Sequence, residues 1–177
     1  MAPAVTLQFD LSMRQGDVIG KWSRDEGAGK RRWHGGLTWS HIKDGVLVKR
    51  TNKTATKVEH DLARLPDTQA EIARVPPERR AGPIILCEGT GLPYKRRFYA
   101  AEFRRIARLA GIPHDVWSMD ARAGAVTEAL AAGADVSDVM NTAGHTQVST
   151  THRCNRSSLK KTGRVADLRI ASRKNSA

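Results

Sequence analysis

Two arginines in this chain stand beside a carboxylate that would orient them. Arg14 precedes Asp17 by three residues, and Arg122 follows Asp120 by two. Each lies in a stretch that reads as a helix with one apolar side. A guanidinium fixed in this way suits a bidentate grip on phosphate oxygens. The competing reading is a structural Arg–Asp pair that ties helices together. Gly144-His145 follows a helix end and precedes a Ser/Thr-rich helix start, Ser149-Thr150-Thr151. Free backbone N–H groups and an imidazole at that place make either an anion site or a helix-capping histidine. Lys53, at the tip of an expected hairpin, is a general acid or an ordinary surface charge. Cys154 is a nucleophile or a small buried hydrophobe. The sequence has no Gly-rich phosphate loop, HExxH, GxSxG or paired-carboxylate arrangement. Phosphate chemistry would therefore rest on cationic side chains, with no cofactor and no metal expected.

The whole chain is suited to a polyanion. It has 177 residues, enough for one domain with a proper core. Lys and Arg number 30 against 18 Asp and Glu, a formal charge of +12. Duplex DNA or RNA is the commonest polyanion to attract such a surface. The charge is clustered at Lys30-Arg31-Arg32, Arg79-Arg80, Lys95-Arg96-Arg97 and Arg104-Arg105, and again in a tail from Arg156 to Lys174 whose only acid is Asp167. Aromatic residues are only 5%, which disfavours a protein that reads single strands mainly by stacking. No apolar run is long enough for a membrane span, and no signal peptide opens the chain. Two cysteines, Cys87 and Cys154, make no disulfide framework, and the expectation is a reducing cytoplasm.

The elements that must position these groups follow from pattern. Leu7, Leu11, Val18 and Ile19 predict a helix beginning near Met13, with Arg14 and Asp17 one turn apart. Residues 23–36 read as an exposed loop. Ile42 to Gly45 is a turn, and Val46 to Arg50 and Lys57 to Leu62 are the strands of an antiparallel hairpin with Lys53 at its tip. Thr68 to Val75 is a short helix ended by Pro76-Pro77, and Pro83 to Cys87 a brief buried strand before a turn at Gly89 to Pro93. Arg97 to Ala110 predicts a helix with Phe98, Ala101, Ile106 and Ala110 near helical spacing. Asp120 is placed as the cap of a helix running to Gly133. Asp135 or Ser137 starts the next, closed by Gly144, and a further helix begins at Ser149. The tail is expected to be helical around Val165, Leu168 and Ile170. The fold class is α+β, mainly α: a helical core with a small antiparallel β-sheet.

Taken in order, these pieces resemble the catalytic domain of tyrosine recombinases, the phage-integrase family, over Leu7 to Leu168. Leu11 to Ile19 resembles the first arginine box. Lys53-Thr54 sits where the family carries its hairpin lysine. Ile84-Ile85-Leu86 with Gly91-Leu92-Pro93-Tyr94 resembles the segment leading into the second half. Asp120-Ala121-Arg122-Ala123-Gly124 matches the second arginine box, and Gly144-His145-Thr146 with Ser149-Thr150-Thr151 the element before the nucleophile helix.

The resemblance implies cleavage of one DNA strand by a tyrosine hydroxyl. A 3′-phosphotyrosyl link forms, and a 5′-hydroxyl then reverses the step. Arg14 and Arg122 would neutralise non-bridging oxygens, Lys53 would protonate the departing 5′-oxygen, and His145 would add a hydrogen bond. Lys30, Arg31, Arg32, Lys95, Arg96, Arg97 and Arg104 are the expected DNA contacts.

Two positions depart from the family pattern. Met119 stands three residues before Arg122, where the family usually has His, and a thioether cannot accept the nucleophile's proton. Nine residues after His145, where the tyrosine belongs, stands Cys154. A thiol is shorter than a phenol, and sulfur is a poor partner for phosphorus. The expectation is a DNA-integration and recombination domain, residues 1–155, with a basic tail over 156–177. Its strand cleavage would be impaired, or it would be a non-catalytic DNA-binding module derived from an integrase. The family's N-terminal DNA-clamping domain is expected to be absent, leaving a weak, salt-dependent grip on duplex DNA. The tail is expected either to join copies on DNA or to be a solvated end.

Overall fold

The computed structural model describes residues 1–24, 30–156 and 158–175. It opens with α1 (Ala2–Asp10), started by Pro3, whose fixed φ suits a first helical turn. Ala4, Leu7 and Leu11 fall on one face and are buried. The chain then breaks, with Ser12 at φ +49°, and resumes as the short α2 (Gln15–Ile19). The helix expected to begin near Met13 corresponds to α2, and α1 ahead of it is a further helix that the pattern did not predict. The break places Arg14 at the start of α2, where it leaves the core instead of following the buried stripe of α1.

Part of the expected loop at 23–36 is ordered as an antiparallel pair, β1 (Lys21–Arg24) and β2 (Arg31–His34). Residues 25–29 lie outside the described residues. The pair is anchored by Trp33, whose indole N–H donates to the Ile19 carbonyl at 2.9 Å. Gly20 makes room for that ring: it sits at φ +74°, and a Cβ there would fall 2.4 Å from the indole. A second sheet holds β3 (Ile42–Lys43), β4 (Val46–Arg50) and β5 (Lys57–Asp61) in that order, antiparallel throughout. The turn expected at Ile42 to Gly45 thus contributes a third, two-residue strand. The strand expected at Pro83 to Cys87 is not formed. Pro83 and Leu86 make only isolated bridges, to Thr38 and Pro93.

The rest is helical: α3 (Pro66–Ala73), α4 (Arg96–Leu109), α5 (Asp120–Ala131), α6 (Val136–Ala143), α7 (Val148–Cys154) and α8 (Ser158–Asn175). The main core joins α1, α2, the three-stranded sheet and the rings of Tyr94 and Tyr99. A second, smaller cluster of Val126, Val139 and Ala143 holds α5 to α6. On α4 the buried positions are Tyr99 and Ala107, while Phe98, Ala101, Ile106 and Ala110 are exposed. Asp120 is the first residue of α5 and not its cap; its carboxylate accepts from the Trp117 N–H at 2.8 Å. Asp135 does cap α6, accepting from Ser137 at 2.7 Å. No helix among the described residues is long and apolar enough to cross a membrane.

Candidate active site

The turn at Arg14, the hairpin carrying Lys53, the start of α5 and the junction of α6 and α7 meet at one place. Asp17, only 1% exposed, is the tie. One carboxylate oxygen accepts from the backbone N–H of Asn52 at 2.6 Å, and the other faces Arg14 Nη1 at 3.9 Å. The Asn52 amide donates to the carbonyls of Gly16 and Gly35, at 3.0 and 2.7 Å. Lys53 follows directly, so the hairpin tip is fastened to the arginine turn. Lys53 itself is exposed. It lines a cleft of about 340 Å³ with Arg14, Lys21, Asn52, Arg96 and Met119, among others. Met119, the residue before α5, is 57% exposed.

Arg122 and His145 do not line that cleft; they are buried beside Arg14. Arg122, in the first turn of α5, is 7% exposed, and neither terminal guanidinium nitrogen has a hydrogen-bond partner. Burial and the neighbouring charge of Arg14 lower its pKa to about 10, against an opposing pull from Cys154 and Asp17. His145 is placed by Gly144, which ends α6 in the left-handed region at φ +61°. A Cβ on Gly144 would lie 2.9 Å from Val58 Cγ1, so only glycine lets this turn press against β5. The His145 Nδ1 pairs with the Thr151 hydroxyl at 2.8 Å, while Nε2 is buried with no partner. When Thr151 donates to Nδ1, Nε2 carries the proton and is left as a donor.

Burial first, then Arg122 and Arg14, bring the His145 pKa down to about 4. Three side chains distant in sequence thus act on one another, with Asp17 as the buried counter-charge. Buried donors without a protein partner are costly, and an anion of tetrahedral shape would satisfy them together.

These pKa values have a consequence for stability. His60, buried on β5 with its Nε2 unpartnered, is also lowered to about 4, by burial. Both folded-state values lie below the ordinary 6.5, so the unfolded chain takes up protons first as pH falls. Stability should therefore drop from about pH 6.5 to about pH 4, by up to about 3 kcal/mol per histidine, and the contribution should level off below that. Urea unfolding across this range checks it: His145→Gln and His60→Gln should each flatten the slope.

Cys154 ends α7 and is half-buried, packed against the cluster of Val126, Val139 and Ala143. Its carbonyl accepts from Thr127 at 3.0 Å. It is near enough for a thiolate to favour the charge on Arg122. Lys30, Arg31 and Arg32 are exposed on and before β2, as are Lys95, Arg96, Arg97 and Arg104 at and along α4. Of these only Arg96 reaches the cleft; the Arg104 guanidinium lies over the Trp117 ring at 5.4 Å. Among the described residues no three His, Cys, Asp or Glu side chains are grouped to hold a metal ion.

Sequence reasoning missed Lys49 and Asn52, and it named Thr151 only as part of a helix start, without its bond to His145. Lys49 is 4% exposed, and its ammonium donates to the Gly36 carbonyl at 3.2 Å. Burial lowers its pKa, with Asp17 opposing. The two-residue period of β4 was the available signal, because it puts Lys49 on the same face as Leu47. Asn52 and Thr151 act through loop closure, for which no local pattern exists.

No protein-family model and no curated protein matches the chain. Solved structures do. The lambda integrase dimer bound to a COC′ core site superposes with a TM-score of 0.66 at 15% identity, covering 88% of this chain and 52% of that one. XerA recombinase gives 0.64 at 13% identity, covering 94% and 57%. The Tn1549 transposon integrase in complex with transposon right end DNA gives 0.61 at 14% identity, covering 96% and 58%. The chain thus spans little more than half the length of each. At these identities the likeness is one of fold.

Proposed function

With the tyrosine recombinase catalytic-domain fold as premise, we propose that this chain binds duplex DNA and grips one phosphodiester between Arg14, Arg122, Lys53 and His145. The observation that carries this reading is the set of buried, partnerless donors on Arg122 and His145 beside Arg14. Arg14 and Arg122 meet the non-bridging oxygens, in a preorganised site whose charge is worth more than in water. The His145 Nε2–H adds a hydrogen bond. Lys53, exposed at the hairpin tip in the cleft it shares with Arg14, protonates the leaving 5′-oxygen in this reading. The exposed cations of β2 and α4 hold the duplex around that phosphate.

Strand cleavage is impaired in this reading, because the position that would hold the nucleophile is Cys154. Its half-buried packing beside Val126 and Val139 also favours the second reading, a DNA-binding module of integrase descent that does not cut. In this reading the tail serves assembly. Val165, Leu168 and Ile170 of α8 are exposed, and a groove of about 860 Å³ is lined by Val5, Phe9, Phe103, Ile112 and Trp117, among others. A neighbouring copy's α8 seated there would join copies on DNA.

Competition binding tests the DNA reading. Duplex DNA should be preferred over duplex RNA, and affinity should fall about 10²-fold between 50 and 200 mM salt, as neutralising about four phosphates requires. Equal affinity for RNA, or binding that ignores salt, would reject it.

A further inference from the structure

A second pocket lies beside the cleft, and the sequence divides neighbouring residues between the two. Lys21 and Arg96 line the cleft, while Trp22 and Lys95 line the pocket. The pocket has a volume of about 400 Å³ and is walled by Trp22, Leu92, Pro93, Tyr94 and Phe98, with Arg31 and Lys95 as its cations. The chain has four Trp, two Tyr and three Phe, and one of each meets here.

These walls are held in place. The Trp22 indole N–H donates to the Pro93 carbonyl at 3.1 Å. Tyr94, only 4% exposed, is stacked on Phe98 with centroids 6.1 Å apart and lies nearly perpendicular to Tyr99, with centroids 5.4 Å apart. Leu92 and Phe98 nevertheless remain 57% and 51% exposed, so apolar surface next to two cations is left facing solvent. Among the described residues, the carboxylates that act on Tyr94 are engaged: Glu102 with Arg105 at 2.6 Å, and Glu88 with the N-terminal ammonium at 3.5 Å. The Cys87 thiol at the pocket wall is hydrogen-bonded to Thr90, which lowers its pKa.

We propose that this pocket binds one nucleotide unit, its base against the Trp22 and Phe98 rings, with buried Tyr94 backing Phe98, and its phosphate at Arg31 and Lys95. An apolar occupant would leave the two cations without a partner, and a bare anion would leave the rings uncovered. A planar aromatic group carrying a phosphate answers both. An unpaired nucleotide of DNA and a free mononucleotide share this chemistry.

The experiment uses 2′-deoxyadenosine 5′-monophosphate and inorganic phosphate as probes. Binding is followed by NMR at the Trp22 indole N–H, assigned with Trp22→Phe. The mononucleotide should bind at least about tenfold more tightly than phosphate. Phe98→Ala, and Arg31→Ala with Lys95→Ala, should each weaken it at least about fivefold while circular dichroism stays unchanged. Phe98 is half exposed, so its removal spares the core. A mononucleotide no tighter than phosphate, or insensitive to these changes, overturns the proposal.

Two duplexes, one blunt and one with a single unpaired end nucleotide, separate the sources. A Phe98→Ala penalty confined to the unpaired end assigns the pocket to DNA. A penalty on the mononucleotide alone assigns it to the free form. None of these readouts depends on strand cleavage or on Arg122, so the pocket and the phosphodiester site fail separately.

Discussion

Replacing Cys154 by tyrosine should turn a chain that forms no covalent DNA complex into one that does. The measurement is a suicide duplex, nicked so that the cleaved end diffuses away, followed by denaturing electrophoresis to reveal trapped protein–DNA adduct. The expectation rests on where Cys154 sits. It ends α7, nine residues after His145, and its thiolate would act on Arg122 through space. The site of charge development is therefore near. What is missing is reach: sulfur stays one bond beyond Cβ, while a phenol carries its oxygen across a ring. Attack by a thiolate would also leave a sulfur–phosphorus ester in place of an oxygen ester.

The change has a physical cost. Cys154 packs against the Val126 cluster, and a tyrosine there must swing toward Arg122 or overfill the packing, at about 1–3 kcal/mol. A circular-dichroism melt separates that outcome from a chemical failure. Adduct from Cys154→Tyr but none from the unaltered chain establishes a working phosphate site without its nucleophile. Adduct from the unaltered chain would make Cys154 the nucleophile and overturn the impaired reading. No adduct from a folded, DNA-binding Cys154→Tyr chain leaves the non-catalytic module.

Which parts of this arrangement were legible beforehand follows from range. Arg14, Lys53, Arg122 and His145 were each ambiguous, and it was their order along the chain that singled them out. Asp135 capping α6 and Gly144 ending it were readable because caps are decided within one turn. The β1–β2 pair was not, because its stretch is rich in Gly, Lys and Arg; what orders it is Trp33 reaching Ile19, a contact made across a turn. The inward face of α4 was misread for a related reason. This helix fully buries only a narrow stripe, Tyr99 and Ala107, while Phe98, Ala101 and Ile106 lie near arginines on the open side. Asp120 has a capping residue's identity but bonds backward to Trp117. Lys49 is the sharpest case: the two-residue period puts it on the Leu47 face, but its charge argues for solvent, and only the Gly36 carbonyl and nearby Asp17 account for its burial.

Arg122→Met should make the protein more stable and the site useless, which separates a functional arginine from a structural one. A structural Arg–Asp tie was the competing reading of the sequence, and it requires that Arg122 hold a carboxylate. Its terminal nitrogens hold nothing, and Asp120 instead takes Arg156 at 2.8 Å. A buried cation beside a second cation, Arg14, opposes folding, as the pKa lowered to about 10 records. Methionine keeps an unbranched stem of similar course and removes the charge. The expected gain is about 1–3 kcal/mol, a rise in Tm of several degrees for a chain of this size. The same change should weaken duplex binding less than about tenfold, since one phosphate contact among many is lost. Combined with Cys154→Tyr, it should cut adduct formation about 10²- to 10³-fold, the usual cost of removing one donor to a developing negative charge. Thermal melts, salt-matched binding and the suicide duplex read the three effects separately. A loss of more than about 1 kcal/mol would show that Arg122 holds the fold together. In that event its place at the site would be a by-product of packing α5 against α1.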